Sequence, residues 1–377
     1  MLHAVGIIAE YNPFHNGHEY QLKMAKKKTN ADVCIVVMSG DWVQRGDPAI
    51  LDKWLRANFA LQHGADLVVE LPAQFAVQPV NIFAAGGVKI LNQLNCDALS
   101  FGCKTPGLNF NQLANVNLDD MNDYFHNYFQ PYPKLFQGAF YKQTGQKIHD
   151  PNDILGINYA HFNSKFNSPM KIIPIKRQGT LHNEGNIKQR FASSSTIREM
   201  LVNHIDSKSK LLKIVDSNII EGILKQRLVT WNDFWPMLKF ELVTSSLSDL
   251  KNIYQMNEGI EYRLKRFAIT SKSFNEFIDK VKTKRYTYSR LKRLFGYILF
   301  HLKRDDYIQN EYLRILGFNQ IGRKYLNQEK KKIQIPIISR ASQKMLNSVL
   351  QLDFKAGMLY EMITGQSQDL YRHPIIK

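Results

Sequence analysis

The chain has 377 residues, of which 44% are hydrophobic, and it carries a formal net charge of +17. No stretch of about twenty apolar residues occurs, so we expect no transmembrane helix and no membrane partner. The first residues have no basic segment, so we expect no signal peptide. Three cysteines without CxxC spacing are too few for a disulfide scaffold, and free thiols in a cytoplasmic protein are expected.

The positive charge is concentrated in the second half of the chain. Residues 1–200 contain 19 Lys and Arg against 16 Asp and Glu, whereas residues 201–377 contain 31 against 17. A basic surface of this kind attracts polyanions. The distribution therefore predicts nucleic-acid binding by the second half. A basic protein without a polyanionic partner is the alternative.

The first twenty residues predict a strand, a turn and a helix. Ala4–Ala9 is a short apolar run, and the turn after it holds His15, Gly17 and His18. Unpaired N–H groups at a helix start favour an anion, and a glycine lets the backbone approach it closely. The pattern predicts a phosphate site with two histidines on one face of the first turn. Surface histidines, or half of a metal site, are the alternatives, although no third ligand lies nearby.

The first half alternates apolar runs with helix-like segments. Continuous apolar strands between helices favour a parallel sheet covered on both faces, and such sheets bind ligands beyond the carboxyl ends of their strands. The strand order cannot be predicted from this pattern. The predicted strands are Ala4–Ala9, Val33–Met38, Asp66–Glu70, Asp97–Phe101 and Lys171–Ile175.

Several polar residues and glycines follow the ends of these predicted strands. Ser39 and Gly40 follow the second strand, Gly102 the fourth, and Lys176 and Arg177 the fifth. By itself, a glycine in a turn or a cation on the surface would not indicate a functional site. Their shared position at one sheet edge favours a role in the site.

Two predicted helix starts contain further candidates. Asp150 is expected to cap a helix that has Pro151 at its first position, which places Asn152 in the first turn. Three serines at 193–195 precede another helix, with Arg198 one turn along. One serine is explained by capping, but three followed by an arginine at this spacing also suit phosphate.

From about residue 205 helical periodicity dominates, and its clearest feature is a basic segment. Eight basic residues and no acidic one occur between Lys282 and Arg304, with Tyr286 and Tyr288 among them. Such a helix can contact phosphates, and exposed tyrosines can stack on unpaired bases. A solvated basic face with buried tyrosines is the alternative. The predicted RNA contacts are Lys284, Arg285, Arg290 and Arg293.

Several segments resemble elements of known families. The run His15-Asn16-Gly17-His18 resembles the HxGH signature of the nucleotidyltransferase superfamily. The longer stretches 6–18 and 38–54 are similar to the bacterial tRNA(Met) cytidine acetate ligases. Residues 193–198 resemble the SSTxIR element of adenylyltransferases, with Ser195 in the threonine position. No KMSKS-like lysine loop occurs, which argues against an aminoacyl-tRNA synthetase.

The resemblance implies an α/β fold in which a Rossmann-like parallel sheet is followed by a mainly α-helical domain. Residues 1–204 are expected to form the ATP-binding catalytic domain, and residues 205–377 a basic tRNA-binding domain. His15, His18 and Arg198 are the expected catalytic residues. The expected ATP contacts are Ile7, Ala9, Glu10, Tyr11, Asn12, Pro13, Phe14, His15, Asn16, Gly17, His18, Tyr20, Gly102, Asn152, Arg177 and Ser195.

The resemblance also implies a reaction. Acetate attacks the α-phosphate of ATP to give acetyl-adenylate, and the wobble cytidine of elongator tRNA(Met) takes the acetyl group as N4-acetylcytidine. Mg²⁺ is expected to accompany ATP. An adenylyltransferase for a small phosphorylated metabolite is the second hypothesis. An RNA-binding protein with a vestigial nucleotide site is the third.

Overall fold

A computed structural model describes residues 1–114, 132–178, 191–203, 208–305 and 311–377. The strands of its central sheet are β1 (Ala4–Ala9), β2 (Val33–Ser39), β3 (Leu67–Leu71), β4 (Ala98–Cys103), β5 (Lys171–Lys176), β6 (Leu313–Phe318), β7 (Ile337–Ile338) and β8 (Ile375–Ile376).

Helices of the first half alternate with these strands. They are α1 (Asn16–Thr29), α2 (Lys53–Gln62), α3 (Ala73–Ala76), α4 (Val80–Gln93), α5 (Phe110–Leu113), α6 (Tyr132–Thr144), α7 (Pro151–Ser164) and α8 (Ser194–Val202).

Helices also make up most of the second half. They are α9 (Lys208–Ile214), α10 (Ser217–Leu224), α11 (Trp231–Thr244), α12 (Leu247–Lys251), α13 (Ile260–Thr270), α14 (Phe274–Val281), α15 (Tyr288–Leu299), α16 (Gln320–Glu329), α17 (Gln343–Leu346) and α18 (Gln351–Thr364). In the described part of the chain, no helix combines the length and the apolar character needed to cross a bilayer.

The sheet has the order β5-β4-β1-β2-β3-β6-β7, and β8 pairs with β6. Strands β1 to β5 are parallel, whereas β6 runs antiparallel to β3. The chain order of the strands reverses between β1 and β4, because β2 lies on one side of β1 and β4 on the other. Such a reversal leaves a crevice beyond the carboxyl ends of the two strands, which is where ligands bind in open α/β sheets. The predicted parallel sheet is confirmed.

Alternate side chains of the strands pack into two separate hydrophobic cores. Ile35 and Val37 belong to one buried cluster, and their neighbours Cys34, Val36 and Met38 belong to the other. Because successive side chains of a strand point to opposite faces, this division means that both faces of the sheet are covered. The continuous apolar runs in the sequence have this physical origin.

Helices α11 to α15 share a core with one face of the sheet, whereas α9 and α10 pack into the core of the other face. Trp42, in the loop after β2, packs against Trp231 and Phe234 of α11 and against Phe300. Strand β6 also comes from the second half and pairs with β3. The sheet therefore draws on residues from both sides of the boundary predicted near residue 204. That boundary falls at residues 204–207, outside the described part of the chain.

Candidate active site

A cleft of about 1510 Å³ lies beyond the carboxyl ends of β1, β4 and β5. The starts of α1, α7 and α8 form one end of it, and α15 with the first turn of α4 forms the other. A volume this far above the usual range of roughly 300–1,000 Å³ for small-molecule sites suits more than one ligand. The strand reversal between β1 and β4 creates the space.

His15 caps α1 and forms the floor of the cleft. Its Nδ1 accepts a hydrogen bond from the Gly17 N–H at 3.0 Å, so the neutral ring carries its proton on Nε2. Nε2 lies 3.1 Å from the Ser194 hydroxyl at the start of α8. Burial and the nearby Arg177 lower the pKa of His15 to about 3. The ring is therefore a neutral hydrogen-bond donor near pH 7.

His18 stacks on His15 with a ring-centroid distance of 3.8 Å. Its Nδ1 is buried and has no hydrogen-bond partner among the described residues. Burial lowers the pKa of His18 well below its usual range, and the charges of His15 and Arg177 lower it further. The rings of Tyr11 and Phe14 hold His18 from its other sides. Both expected histidines thus lie at the cleft, although His15 precedes the first turn rather than standing in it.

Gly17 is required by the close approach of the His15 ring. A Cβ at this position would lie 2.8 Å from Cε1 of His15, which is closer than side-chain atoms approach. The glycine therefore lets the capping imidazole fold back over the first N–H groups of α1. The absence of a Cβ also lets a ligand approach the backbone closely, which is the reason expected from the sequence.

Gly102, Asn152 and Arg177 meet at one wall of the cleft. The Arg177 guanidinium donates to Oδ1 of Asn152 at 2.7 Å, and its backbone N–H donates to the Cys103 carbonyl at the end of β4. A Cβ on Gly102 would approach Cγ of Arg177 at 3.3 Å. The three residues are far apart in sequence, and the pairing of β4 with β5 brings them together.

The serines before α8 face the same end of the cleft. Ser193 caps α8 by accepting the Thr196 N–H at 3.2 Å and bonds the Ser195 hydroxyl at 2.8 Å. Ser194 bonds His15, a contact that the sequence pattern does not predict. Nη1 of Arg198 donates to the Asn12 carbonyl at 2.6 Å. Arg198 therefore braces the loop after β1 from behind the cleft.

Basic side chains dominate the opposite end. Nη1 of Arg293 reaches the Gln44 carbonyl at 3.5 Å, while Arg285 and Arg290 lie 3.9 and 3.8 Å from Glu258. The acidic residues lining the whole cleft are Glu10 and Asp150. The basic residues lining it are Arg45, Lys104, Lys176, Arg177, Arg285, Arg290, Arg293 and Arg304. We call Arg285, Arg290, Arg293 and Arg304 the arginine wall.

The two tyrosines of the basic segment have different environments. Tyr286 is buried, its hydroxyl donates to the Asn257 carbonyl at 2.6 Å, and the Arg290 guanidinium covers its ring. Tyr288 is exposed and donates to Asp279 at 2.8 Å. The alternative of a buried tyrosine therefore holds for Tyr286, whereas Tyr288 is exposed and has the Lys282 ammonium 4.8 Å from its ring centroid.

Most predicted site residues line the cleft, and the remainder lie behind or beside it. Ile7 and Phe14 are buried in the core because they point to the far side of the sheet and loop. Ser39 and Gly40 lie beneath the site, where the buried Arg56 donates to both carbonyls. The other predicted residues that do not line the cleft are Pro13, Asn16, Arg198 and Lys284.

Several lining residues were missed by the sequence interpretation. Lys104 follows the end of β4, just as Gly102 does, so the strand-end pattern could have found it. Gln44 and Arg45 come from the loop after β2, and Tyr159 comes from the middle of α7. Gln44 and Arg45 lie within the family-like stretch 38–54, which could have pointed to them, whereas no local pattern distinguishes Tyr159.

No cluster of three or more His, Cys, Asp or Glu side chains suited to a metal ion occurs in the part of the chain that the structure describes. Asp150 is occupied by capping α7 through the Asn152 N–H.

These features define a nucleotidyltransferase of the HIGH class. The family model described as "HIGH Nucleotidyl Transferase" matches residues 2–372. A relative from Lactiplantibacillus plantarum, named tRNA(Met) cytidine acetate ligase, is 41% identical over 99% of this chain and 98% of its own length. A relative of the same name from Levilactobacillus brevis is 41% identical over 100% of this chain and 98% of its own length. The chain belongs to the tRNA(Met) cytidine acetate ligase family.

Solved structures agree with this assignment. The chain resembles Thermotoga maritima TmcAL in its apo form with a TM-score of 0.88 at 27% identity, covering 100% of this chain and 99% of that one. A second form of TmcAL, bound with alpha-thio ATP, has a TM-score of 0.87 with the same identity and coverage. The likeness extends over both the sheet and the helices of the second half.

Proposed function

We propose that this chain is an ATP-dependent ligase that activates acetate as acetyl-adenylate and acetylates the N4 amine of the wobble cytidine in elongator tRNA(Met). One observation carries the proposal: the stacked histidines at the start of α1 and the arginine wall line a single cleft. A nucleotide and an RNA loop can therefore meet there. The names of the relatives supply the acid and the acceptor.

In this proposal the triphosphate lies across the start of α1. Neutral His15 and His18 donate hydrogen bonds to phosphoryl oxygens, and the α1 dipole favours their negative charge. An acetate oxygen attacks the α-phosphorus, the bond to the β-phosphate bridging oxygen breaks, and pyrophosphate leaves. Charge grows on the phosphoryl oxygens during the attack, so fixed donors there accelerate it.

Nearby groups complete the nucleotide site. Arg177, held by Asn152 beside Gly102, is placed to contact phosphate or ribose, and Ser195 offers a hydroxyl at the start of α8. Arg198 is proposed to act as a positioning residue through its bond to the Asn12 carbonyl. Mg²⁺ is proposed to arrive with the triphosphate, and we assign it no protein ligand.

At the other end of the cleft, the arginine wall is proposed to hold the phosphates of the RNA loop. Single-stranded loops suit such a cleft because their bases can be turned out of the stack. A small phosphorylated metabolite would not need four further arginines in the same cleft, so the adenylyltransferase hypothesis is not favoured. An enzyme that meets tRNA and ATP in this way is expected in the cytoplasm.

The test is pyrophosphate release with acetate and tRNA each added and omitted in turn. We expect acetate alone to give slow release limited by adenylate turnover, and tRNA(Met) to accelerate it with formation of N4-acetylcytidine. Pyrophosphate release that ignores acetate but responds to a phosphorylated metabolite would contradict the proposal. The control uses a tRNA without cytidine at the wobble position.

A further inference from the structure

We propose that Glu10 accepts the proton of the acceptor amine in the acetyl-transfer step. The inference rests on the proposed function, because it assigns a residue to the second half of that reaction. Resemblance places Glu10 only among the ATP contacts. The structure adds where its carboxylate lies and which of its oxygens is free.

Glu10 stands between the two ends of the cleft. It directly follows β1 at the strand reversal and lines the cleft. Its Oε1 accepts the Gln44 N–H at 3.0 Å, and the carbonyl of the same Gln44 faces Nη1 of Arg293 at 3.5 Å. A base held by the arginine wall would therefore meet an adenylate held by the histidines close to this carboxylate.

One oxygen of Glu10 is available for a proton. The bond from Gln44 occupies Oε1, and within the described ranges the structure gives Oε2 no partner. The other carboxylate of the cleft, Asp150, caps α7 with an oxygen that accepts both the backbone and the side-chain N–H of Asn152. Each carboxylate thus has one bonded oxygen, and what distinguishes Glu10 is its place after β1, one backbone N–H away from the Gln44 carbonyl that faces Arg293.

The histidines are poorer candidates for this step. Nδ1 of His15 is occupied by the Gly17 N–H, and the pKa values of both rings are lowered by burial. A base with a low pKa accepts a proton weakly. Burial raises the pKa of Glu10, which makes its carboxylate the stronger base.

Charged groups from every neighbouring element surround Glu10. Arg198 of α8 and Arg45 of the loop after β2 favour its ionised form, whereas Asp47 opposes it. Arg56 of α2 donates a hydrogen bond to the backbone carbonyl of Glu10, and the negative charge of Glu10 helps to raise the pKa of Tyr159 of α7. Burial is the largest influence and raises the pKa of Glu10, whereas the hydrogen bond from the Gln44 N–H and then the charges of Arg198 and Arg45 lower it.

The N4 lone pair of cytidine attacks the acetyl carbonyl carbon and forms the C–N bond, while the C–O bond to AMP breaks and its electron pair leaves with the phosphate oxygen. The nitrogen loses one proton to Oε2 of Glu10. The carboxyl group then returns that proton to water through the open cleft.

Glu10→Gln tests the inference, because its amide oxygen can still accept the Gln44 N–H while the group can no longer take a proton. Two measurements are needed: acetate-dependent exchange of pyrophosphate into ATP, and single-turnover acetyl transfer to tRNA from preformed adenylate. We expect transfer to fall on the order of 10²–10⁴-fold. The fold-loss of pyrophosphate exchange should be at least ten times smaller than the fold-loss of acetyl transfer. Glu10→Asp should recover part of the transfer.

The pH dependence of the transfer rate distinguishes a proton acceptor from a residue with only a structural role. In the unaltered enzyme the transfer rate should rise with pH as Glu10 loses its proton, and in Glu10→Gln that rise should disappear. The matched control is Glu19→Gln, which changes an acidic residue on α1 that pairs with Lys23 and does not line the cleft.

Two results would overturn the inference. Equal losses of exchange and transfer would make Glu10 an ATP-binding residue, and unchanged transfer in Glu10→Gln would remove it from the chemistry. Failure of the proposed function itself looks different, because the unaltered enzyme would then show no acetate-dependent exchange.

Discussion

Two imidazoles that remain neutral are the central feature at the residue scale. Their pKa values are lowered mainly because burial disfavours the charged form. Neutral rings keep a fixed tautomer, so His15 presents its Nε2 proton in one direction. A fixed donor costs no reorganisation when charge develops on phosphate.

His18→Ala should abolish acetate-dependent pyrophosphate exchange and leave tRNA affinity nearly unchanged. Loss of one fixed donor of this kind typically costs on the order of 10²–10³ in rate. The arginine wall lies at the other end of the cleft, so the RNA contacts should persist. Exchange assays and tRNA binding by filter retention measure the two effects. A parallel loss of both would contradict the division of the cleft.

Acidification should destabilise the fold through His15. Its pKa is about 3 in the folded chain and about 6.5 when unfolded, so the unfolded state takes up a proton first as the pH falls. The free energy of unfolding should therefore decrease as the pH falls from about 6.5, by up to about 1.4 kcal/mol per pH unit from this group.

Urea denaturation between pH 7 and pH 5 checks this prediction in the unaltered chain and in His15→Asn. The variant should show a shallower dependence on pH, because it lacks one proton uptake on unfolding. Part of the pH dependence of stability should remain in His15→Asn, because the pKa of His18 is also lowered in the folded chain. Two parallel curves would show that His15 does not contribute.

At the scale of elements, α15 links the core to the cleft. Leu291, Leu294, Phe295 and Ile298 form the buried stripe that the helical spacing predicts. Gly46 packs against the backbone of Arg293, and a Cβ there would lie 2.2 Å from its nitrogen. The helix is therefore held tightly, and its arginines are presented in a defined place.

Replacing Lys284, Arg285, Arg290 and Arg293 by Ala should weaken tRNA binding and flatten its salt dependence. Each phosphate contact removed lowers the slope of log affinity against log salt by about 0.7 to 0.9. Binding is measured across a salt series, with circular dichroism to confirm folding. The matched control replaces Lys330, Lys331 and Lys332, which are exposed elsewhere. An unchanged slope would remove α15 from the RNA interface.

At the scale of the whole molecule, a buried charge network joins the sheet to the end of the chain. Nζ of Lys53 lies 2.9 Å from both Glu70 and Asp369, and Arg314 of β6 contacts the same two carboxylates. Asp41 completes the group at 3.7 Å from Lys53. The network ties residues that are 316 positions apart in the chain.

Lys53→Met should destabilise the fold strongly, by about 3–5 kcal/mol, because it leaves buried carboxylates without their main counter-ion. Lys23→Met is the matched control. It removes an exposed pair with Glu19, and exposed pairs contribute no more than about 1 kcal/mol. Urea denaturation measures both. Equal effects would show that the buried network does not stabilise the fold.

The sequence alone determined the parallel strands, the turn with two histidines and the basic helix. These are local properties: a buried strand must be apolar throughout, a helix start leaves N–H groups unpaired, and an inward stripe recurs every three or four residues. The family followed from motifs of the same local kind.

Tertiary structure alone decided the strand order, the return of β6 to the sheet and the placement of the arginine wall opposite the histidines. It also separated Tyr286 from Tyr288 and set Glu10 between the two ends of the cleft. These are relations between distant segments. Burial of the shared core and pairing of strands choose them, and no local spacing encodes either.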